Sequence, residues 1–165
     1  LLLAAAVLAG PGVPALAMDR DRSGVIEEVI VTSQRRAESM QDVPISVTAF
    51  NQQDIERISP RTLRDLDAMV PNVRIGMVTA APGQGAIFIR GLGYADAENN
   101  QPPSVGLIID NIFQGTNTGQ LIDTFDIEQI EVNRGPQGVL YGKNTTGGTI
   151  VVKRAQPRFN EFGFD

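Results

Sequence analysis

Apolar residues fall into one long run at the start of the chain and many short ones after it. Residues 1–9 are apolar throughout. Beyond residue 24 the apolar stretches are short, rich in Val and Ile, and separated by Gly, Pro, Asn and Asp, a pattern of short strands and turns. Strands are expected at 25–32, 43–50 (alternating after Pro44), 73–75, 86–90, 105–109, 112–113, 130–133 and 149–153. Asn51 has the chemistry of a helix N-cap, with Asp54 at the third position. Ser59-Pro60 opens a second expected helix, with Pro in its first turn. Leu63, Leu66, Met69 and Val70 then share one face, and Pro71-Asn72 ends it. Single helical turns are expected at 121–126 and 137–141. Asp110-Asn111 reads as a two-residue hairpin, since both residues tolerate positive φ. Residues 77–85 form a Gly/Ala/Pro loop and 92–104 a long polar one; loops of that length are usually functional or disordered. The fold class is therefore α+β, a small mixed β-sheet with short helices. No internal repeat is visible.

The opening run is a case apart. Gly10-Pro11-Gly12-Val13-Pro14 follows it, then Ala15-Leu16-Ala17. An apolar stretch, a helix breaker and an A-x-A pattern make up the hydrophobic and cleavage regions of a secretory signal peptide. The run falls short of the about 20 apolar residues a spanning helix needs. Residues 1–17 are expected to be this signal, truncated because the chain starts at Leu and lacks a basic region, with the mature protein starting at Met18. The alternative, an apolar core helix, has to overcome the Gly and Pro residues that follow.

Composition narrows the chemistry. The chain has 165 residues, no Cys and no His. That length suits one domain. The missing residue types exclude Cys/His metal sites, thiol nucleophiles and His-based triads. A net charge of -5 with scattered basic residues argues against nucleic acid as a partner. Asp19, Asp21, Ser23 and Gly24 open like a calcium loop, but the twelfth position, which needs a bidentate Glu, is Ile30. Gly138, Gly142 and Lys143 have the wrong spacing for a phosphate loop, and Asn144 stands where Ser or Thr is required. Gly91-Leu92-Gly93 lacks the third glycine of a dinucleotide loop, because position 96 is Asp. Glu128 and Glu131 are not paired for acid–base work by any spacing. Neither an enzyme nor a bound cofactor or metal is expected.

The segment 25–32, Val-Ile-Glu-Glu-Val-Ile-Val-Thr, lies between a charged tail and Gln34-Arg35-Arg36. It reads either as an edge strand of the following domain or as a segment awaiting a partner strand, since extended peptides bind by adding to a sheet edge.

Several stretches together resemble the plug domain of TonB-dependent outer-membrane receptors. The most specific is Ile127-Glu128-Gln129-Ile130-Glu131-Val132-Asn133-Arg134-Gly135-Pro136, continuing through Leu140-Tyr141-Gly142 and Gly147-Gly148-Thr149-Ile150. Ile89-Arg90-Gly91, Asp42-Val43-Pro44-Ile45-Ser46-Val47, Leu63-Arg64-Asp65-Leu66 and Val70-Pro71-Asn72-Val73 match in order and spacing, over about 25–157. The family commonly has Asp-Gly where this chain has Asp110-Asn111, and Asn takes the same left-handed conformation at modest cost.

The resemblance implies a division of labour. Residues 18–41 would form an N-terminus carrying the TonB box, with Ile26, Glu27, Glu28, Val29, Ile30, Val31 and Thr32 captured by the TonB C-terminal domain in the periplasm. Residues 42–157 would be the plug, seated in a barrel of about 22 strands. Arg90, Arg134 and Glu131 would make plug–barrel contacts, the arginines facing barrel acids. Three loops would meet a small-molecule ligand: 77–84 with Met77 and Gln84, 92–103 with Tyr94, Asn99, Asn100 and Gln101, and 114–120 with Gln114 and Asn117. Residues 158–165, with Phe159, Phe162 and Phe164 alternating, would start the barrel. The implied function is energy-dependent uptake across the Gram-negative outer membrane of a scarce ligand, foremost a ferric siderophore. An iron chelate would then be cargo, not a cofactor. The alternative is a self-standing periplasmic binding or interaction protein built on a plug-like domain.

Overall fold

The computed structural model describes residues 29–157, apart from 33, 80, 82 and 96–100. The expected signal segment 1–17, the box residues Ile26, Glu27 and Glu28, the loop residues Asn99 and Asn100, and the barrel start at 158–165 lie outside the described residues.

Three sheets organise the described residues. The largest has five strands in the order β3 (Ser46–Asn51), β9 (Ile127–Arg134), β10 (Gly148–Arg154), β7 (Val105–Ile109), β8 (Ile112–Gln114). β10 is parallel to β7 and antiparallel to β9, so the sheet is mixed. A second sheet joins β4 (Val73–Met77), β5 (Gly85–Ile89) and β6 (Leu92–Tyr94), all antiparallel. The third is a ribbon of two residues per strand, β1 (Ile30–Val31) against β2 (Glu38–Ser39). The helical parts are α1 (Gln52–Ile58), a 3₁₀ turn at Leu63–Leu66, and α2 (Gly138–Tyr141).

The core lies between the first two sheets. Val105, Leu107, Ile130, Val132, Ile150 and Val152 meet Leu63, Leu66, Val70, Val73, Ile75, Ile87 and Ile89. From Ile130 onward on β9, and along β10, every second residue points there, as the strand period requires. The intervening residues Glu131, Asn133, Thr149 and Val151 lie on the reverse face, yet they too are buried. A sheet covered on both faces explains why β10 reads as continuous Thr-Ile-Val-Val.

Local chemistry accounts for the elements. Asn51 Oδ1 accepts from Asp54 N at 2.8 Å and starts α1. Asp110 and Asn111 both take positive φ and turn β7 into β8, which fits a type I′ hairpin.

Three expectations need correction. The second helix shrinks to Leu63–Leu66. Ala68 takes φ +65 and Asp67 Oδ1 accepts from Ile75 N at 2.8 Å, which draws the chain off the helical path. Met69 is exposed as a result, while Leu63, Leu66 and Val70 are buried. The 92–104 loop starts later, because Leu92–Tyr94 pairs with β5. Arg90 (φ 53) and Gly91 (φ 80) form the two-residue turn that allows this. Residues 121–126 are not a helical turn. Their main chain bonds across to the 3₁₀ region instead, Leu63 N to Ile122 O at 3.0 Å and Thr124 N to Arg61 O at 3.1 Å.

Candidate functional site

The reverse face of β9 carries a polar row, Gln129, Glu131 and Asn133, spaced by two. Two members of that row hold the N-terminal ribbon. Gln129 Nε2 donates to Ile30 O at 2.6 Å. Glu131 Oε1 accepts from Thr32 N at 2.6 Å and from Thr32 Oγ1 at 3.0 Å. Val31, between them, is 0% exposed. β1 also pairs with β2, with Met40 N donating to Val29 O at 2.9 Å. Because Ile30 lies by Gln129 and Thr32 by Glu131, β1 runs alongside β9 in the same direction. Asn133, the third member, donates to Thr149 Oγ1 at 3.1 Å within the sheet.

Glu131 thus stands elsewhere than expected. Grouped with the arginines as a barrel contact, it is 1% exposed and faces the chain's own N-terminal segment. The strand period turns it inward and the ribbon closes over it. Burial pushes its carboxyl above the usual glutamate value, against the two Thr32 bonds and the charge of Lys153. Its second oxygen, Oε2, has no hydrogen-bond partner among the described residues. An intramolecular hydrogen bond is worth about 0.5–1.5 kcal/mol net, and Glu131 accepts two from Thr32, so this contact is a substantial part of what holds so short a ribbon. Nearby, the Arg35 guanidinium sits over the Tyr141 ring, 5.4 Å from its centroid.

The two arginines come together at one corner. Arg134 Nε donates to Ser46 Oγ at 2.9 Å and Nη1 to Pro71 O at 3.3 Å. Arg90 is exposed, and its N–H donates to Asn72 O at 2.8 Å. A Cβ built on Gly135 would lie 3.6 Å from Arg90 Nη1, which puts that guanidinium beside the strand end. Among the described residues neither arginine has an acidic partner.

The loop residues divide into two groups. Gln84 and Asn117, expected to face a ligand, are turned inward. Gly85 N donates to Asn117 O at 2.9 Å, and Gln84 Nε2 to Thr118 Oγ1 at 3.4 Å. The Gln84 side chain and the Asn117 main chain serve the joint between loops 78–84 and 115–120, whose main-chain groups need partners once buried. Met77 and Gln101 are exposed, and Tyr94 and Gln114 half-buried at strand ends. Gln101 and Pro102 line a cleft with Phe113, Gly115, Thr116, Lys143 and Asn144. Lys143 and Asn144 are an addition to the expected set. Their only sequence signal is the broken phosphate-loop pattern, which gave no spatial neighbour. Gly106 lets this region close up: a Cβ there would lie 2.8 Å from the Phe113 ring and 2.9 Å from Thr145 Cγ2.

Residues 39–149 match the model of the TonB-dependent receptor plug domain. An iron-regulated outer membrane virulence protein of Vibrio cholerae is 30% identical over 84% of this chain and 21% of its own length. A vitamin B12 transporter of Vibrio vulnificus is 29% identical over 77% of this chain and 20% of its own. Among solved structures, the ferric yersiniabactin uptake receptor of Yersinia pestis superposes with a TM-score of 0.59 at 27% identity, over 68% of this chain and 17% of that one. The chain spans about a fifth of the length of the curated relatives it matches.

Proposed function

The chain belongs to the family of TonB-dependent receptor plug domains, outer-membrane receptors rather than enzymes, and on that premise we propose that it gates energy-dependent uptake of a scarce small molecule. The ligand class we favour is a ferric siderophore; two of the three relatives above are named for iron, and cobalamin is the runner-up. In this reading 26–32 is the coupling segment taken by TonB through strand addition. Arg90 and Arg134 meet acids on the barrel wall, and the surface of loops 77–84, 95–103 and 114–120 meets the ligand.

The observation that carries the reading is the short β1 ribbon set on a well-packed core. Its main-chain pairing is only two residues long, so it is separable from the body of the domain. A pulling partner needs such an element. The test is Ile30→Pro in the complete receptor. Proline removes a main-chain donor and fixes φ, so ligand binding should persist while uptake is lost. Normal uptake with proline there contradicts the assignment. Uptake assays with ferric siderophores and with cobalamin separate the two ligand classes.

A further inference from the structure

A strand has two edges, and β1 has both occupied. Antiparallel pairing directs the main-chain groups of Val29 and Val31 toward β2, as the bond from Met40 N to Val29 O shows. Successive residues alternate, so those of Ile30 and Thr32 point the other way. There they meet side chains rather than another strand: Ile30 O takes Gln129 Nε2 and Thr32 N gives to Glu131 Oε1. An amide donor and a carboxylate acceptor, two residues apart on β9, match the carbonyl and the N–H that an added strand would need.

We propose that Gln129 and Glu131 stand in for a partner strand along the second edge of β1, and that an incoming strand must displace them. Resting on the reading of 26–32 as the coupling segment, this gives the Gln129/Glu131 pair a positioning role: it keeps the segment stowed and makes capture competitive. It also gives a role to a carboxyl group buried on the reverse face of the sheet. An open edge is a template for unwanted pairing, and covering it is a common protection.

The absence of cysteine from the chain provides a reporter. Val31→Cys places one thiol at a fully buried position of β1. In that background, labelling by a maleimide measures release of the ribbon, and affinity for the TonB C-terminal domain measures capture. Gln129→Ala with Glu131→Ala should speed labelling about ten-fold or more, as expected for loss of the hydrogen bonds to Ile30 and Thr32, and tighten capture. Glu131→Gln keeps an acceptor oxygen for Thr32 and should label as slowly as the parent. Should Glu131→Ala fail to fold, Gln129→Ala alone, on a half-buried side chain, should still give a smaller acceleration. Unchanged labelling in the folded Ala variants overturns the proposal, and so does faster labelling with unchanged capture. If neither parent nor variant binds the TonB domain, the coupling-segment reading fails, while faster labelling still supports the side-chain edge.

Discussion

Ile30-Val31 in β1 and Ile150-Val151-Val152 in β10 have nearly the same composition and very different anchorage. β10 is paired along five residues with β7 and along seven with β9. Its side chains are buried on both faces. β1 is paired along two residues with β2, and side chains hold its other edge. Strand propensity is therefore the same in both places, and tertiary pairing decides which of them is permanent. In the proposed function a fixed strand bears the load and a removable one transmits it.

The largest expected effect lies in the fixed region. Ile150→Ala should destabilise the domain by about 2–5 kcal/mol, the usual cost of such a buried truncation, measured by urea unfolding. Val31→Ala removes the equivalent of two methylenes at roughly 0.8 kcal/mol each. It should mainly open the ribbon, leaving the unfolding midpoint of the core close to that of the parent. Equal shifts in midpoint would erase the distinction between the two strands.

The arginine corner comes next. Arg134→Ala loses bonds to Ser46 Oγ and Pro71 O, and should cost the isolated chain up to about 1.5–3 kcal/mol. Arg90→Ala should stay within about 0.5 kcal/mol there, as an exposed substitution does. In the complete receptor the proposed barrel contact predicts that both admit more antibiotic, since removal of either arginine would leave its acidic partner unpaired. Either variant matching the parent in permeability counts against its barrel contact.

A smaller effect is titratable. The folded-state carboxyl of Glu131 lies above its ordinary value, chiefly through burial. The native state therefore holds that proton more tightly than the unfolded one. Its contribution to stability is full below the ordinary glutamate range and lost as pH rises through the raised value. Lys153, Tyr141 and Thr32 face the same carboxyl, with Arg35 over the Tyr141 ring. Glu131→Gln should remove this decline, read as the difference between parent and variant melting temperatures across that window. Asp110 shifts the opposite way, held low first by the N–H of Arg154, and cancels in the difference. Parallel profiles for parent and variant would place the titration elsewhere.

Much of this contrast is written in the chain, and the part that is not has a physical reason. The Asn51 cap, the Asp110-Asn111 turn and the strand-prone runs of β9 and β10 are local signals, and each element stands where expected within one to three residues. The turn at Arg90-Gly91 is equally local, but an Arg with positive φ is uncommon, so the sequence alone reads as loop where β6 stands. The short 3₁₀ turn depends on Asp67 reaching Ile75 N, and the irregular 121–126 on bonds to Arg61 and Leu63. Such contacts come from the tertiary fold and leave no periodicity. The inward turn of Glu131, Gln84 and Asn117 belongs to the same class. Period two places Glu131 on the face opposite Ile130, and the ribbon's return across β9 makes that face an interior.

The smallest effect on the fold is expected at the long loop. Replacing 95–102 with a Gly-Ser link keeps β6 and should alter stability by no more than about 0.6 kcal/mol, the loop-closure change for a doubling of length. Ligand affinity of the complete receptor should fall nonetheless. Unchanged affinity would make the loop a connector and move the ligand contacts to 77–84, 114–120 or the barrel.

The coupling claim is tested most directly by disulfide cross-linking. Single cysteines at each position from 26 to 32 of the complete receptor would be paired with single cysteines along the TonB C-terminal domain, with ligand present. Strand addition predicts cross-links in a fixed register that alternate along the segment with period two, and predicts stronger links in the Gln129→Ala/Glu131→Ala background. Cross-links without register, or none from this segment while uptake is normal, would contradict it.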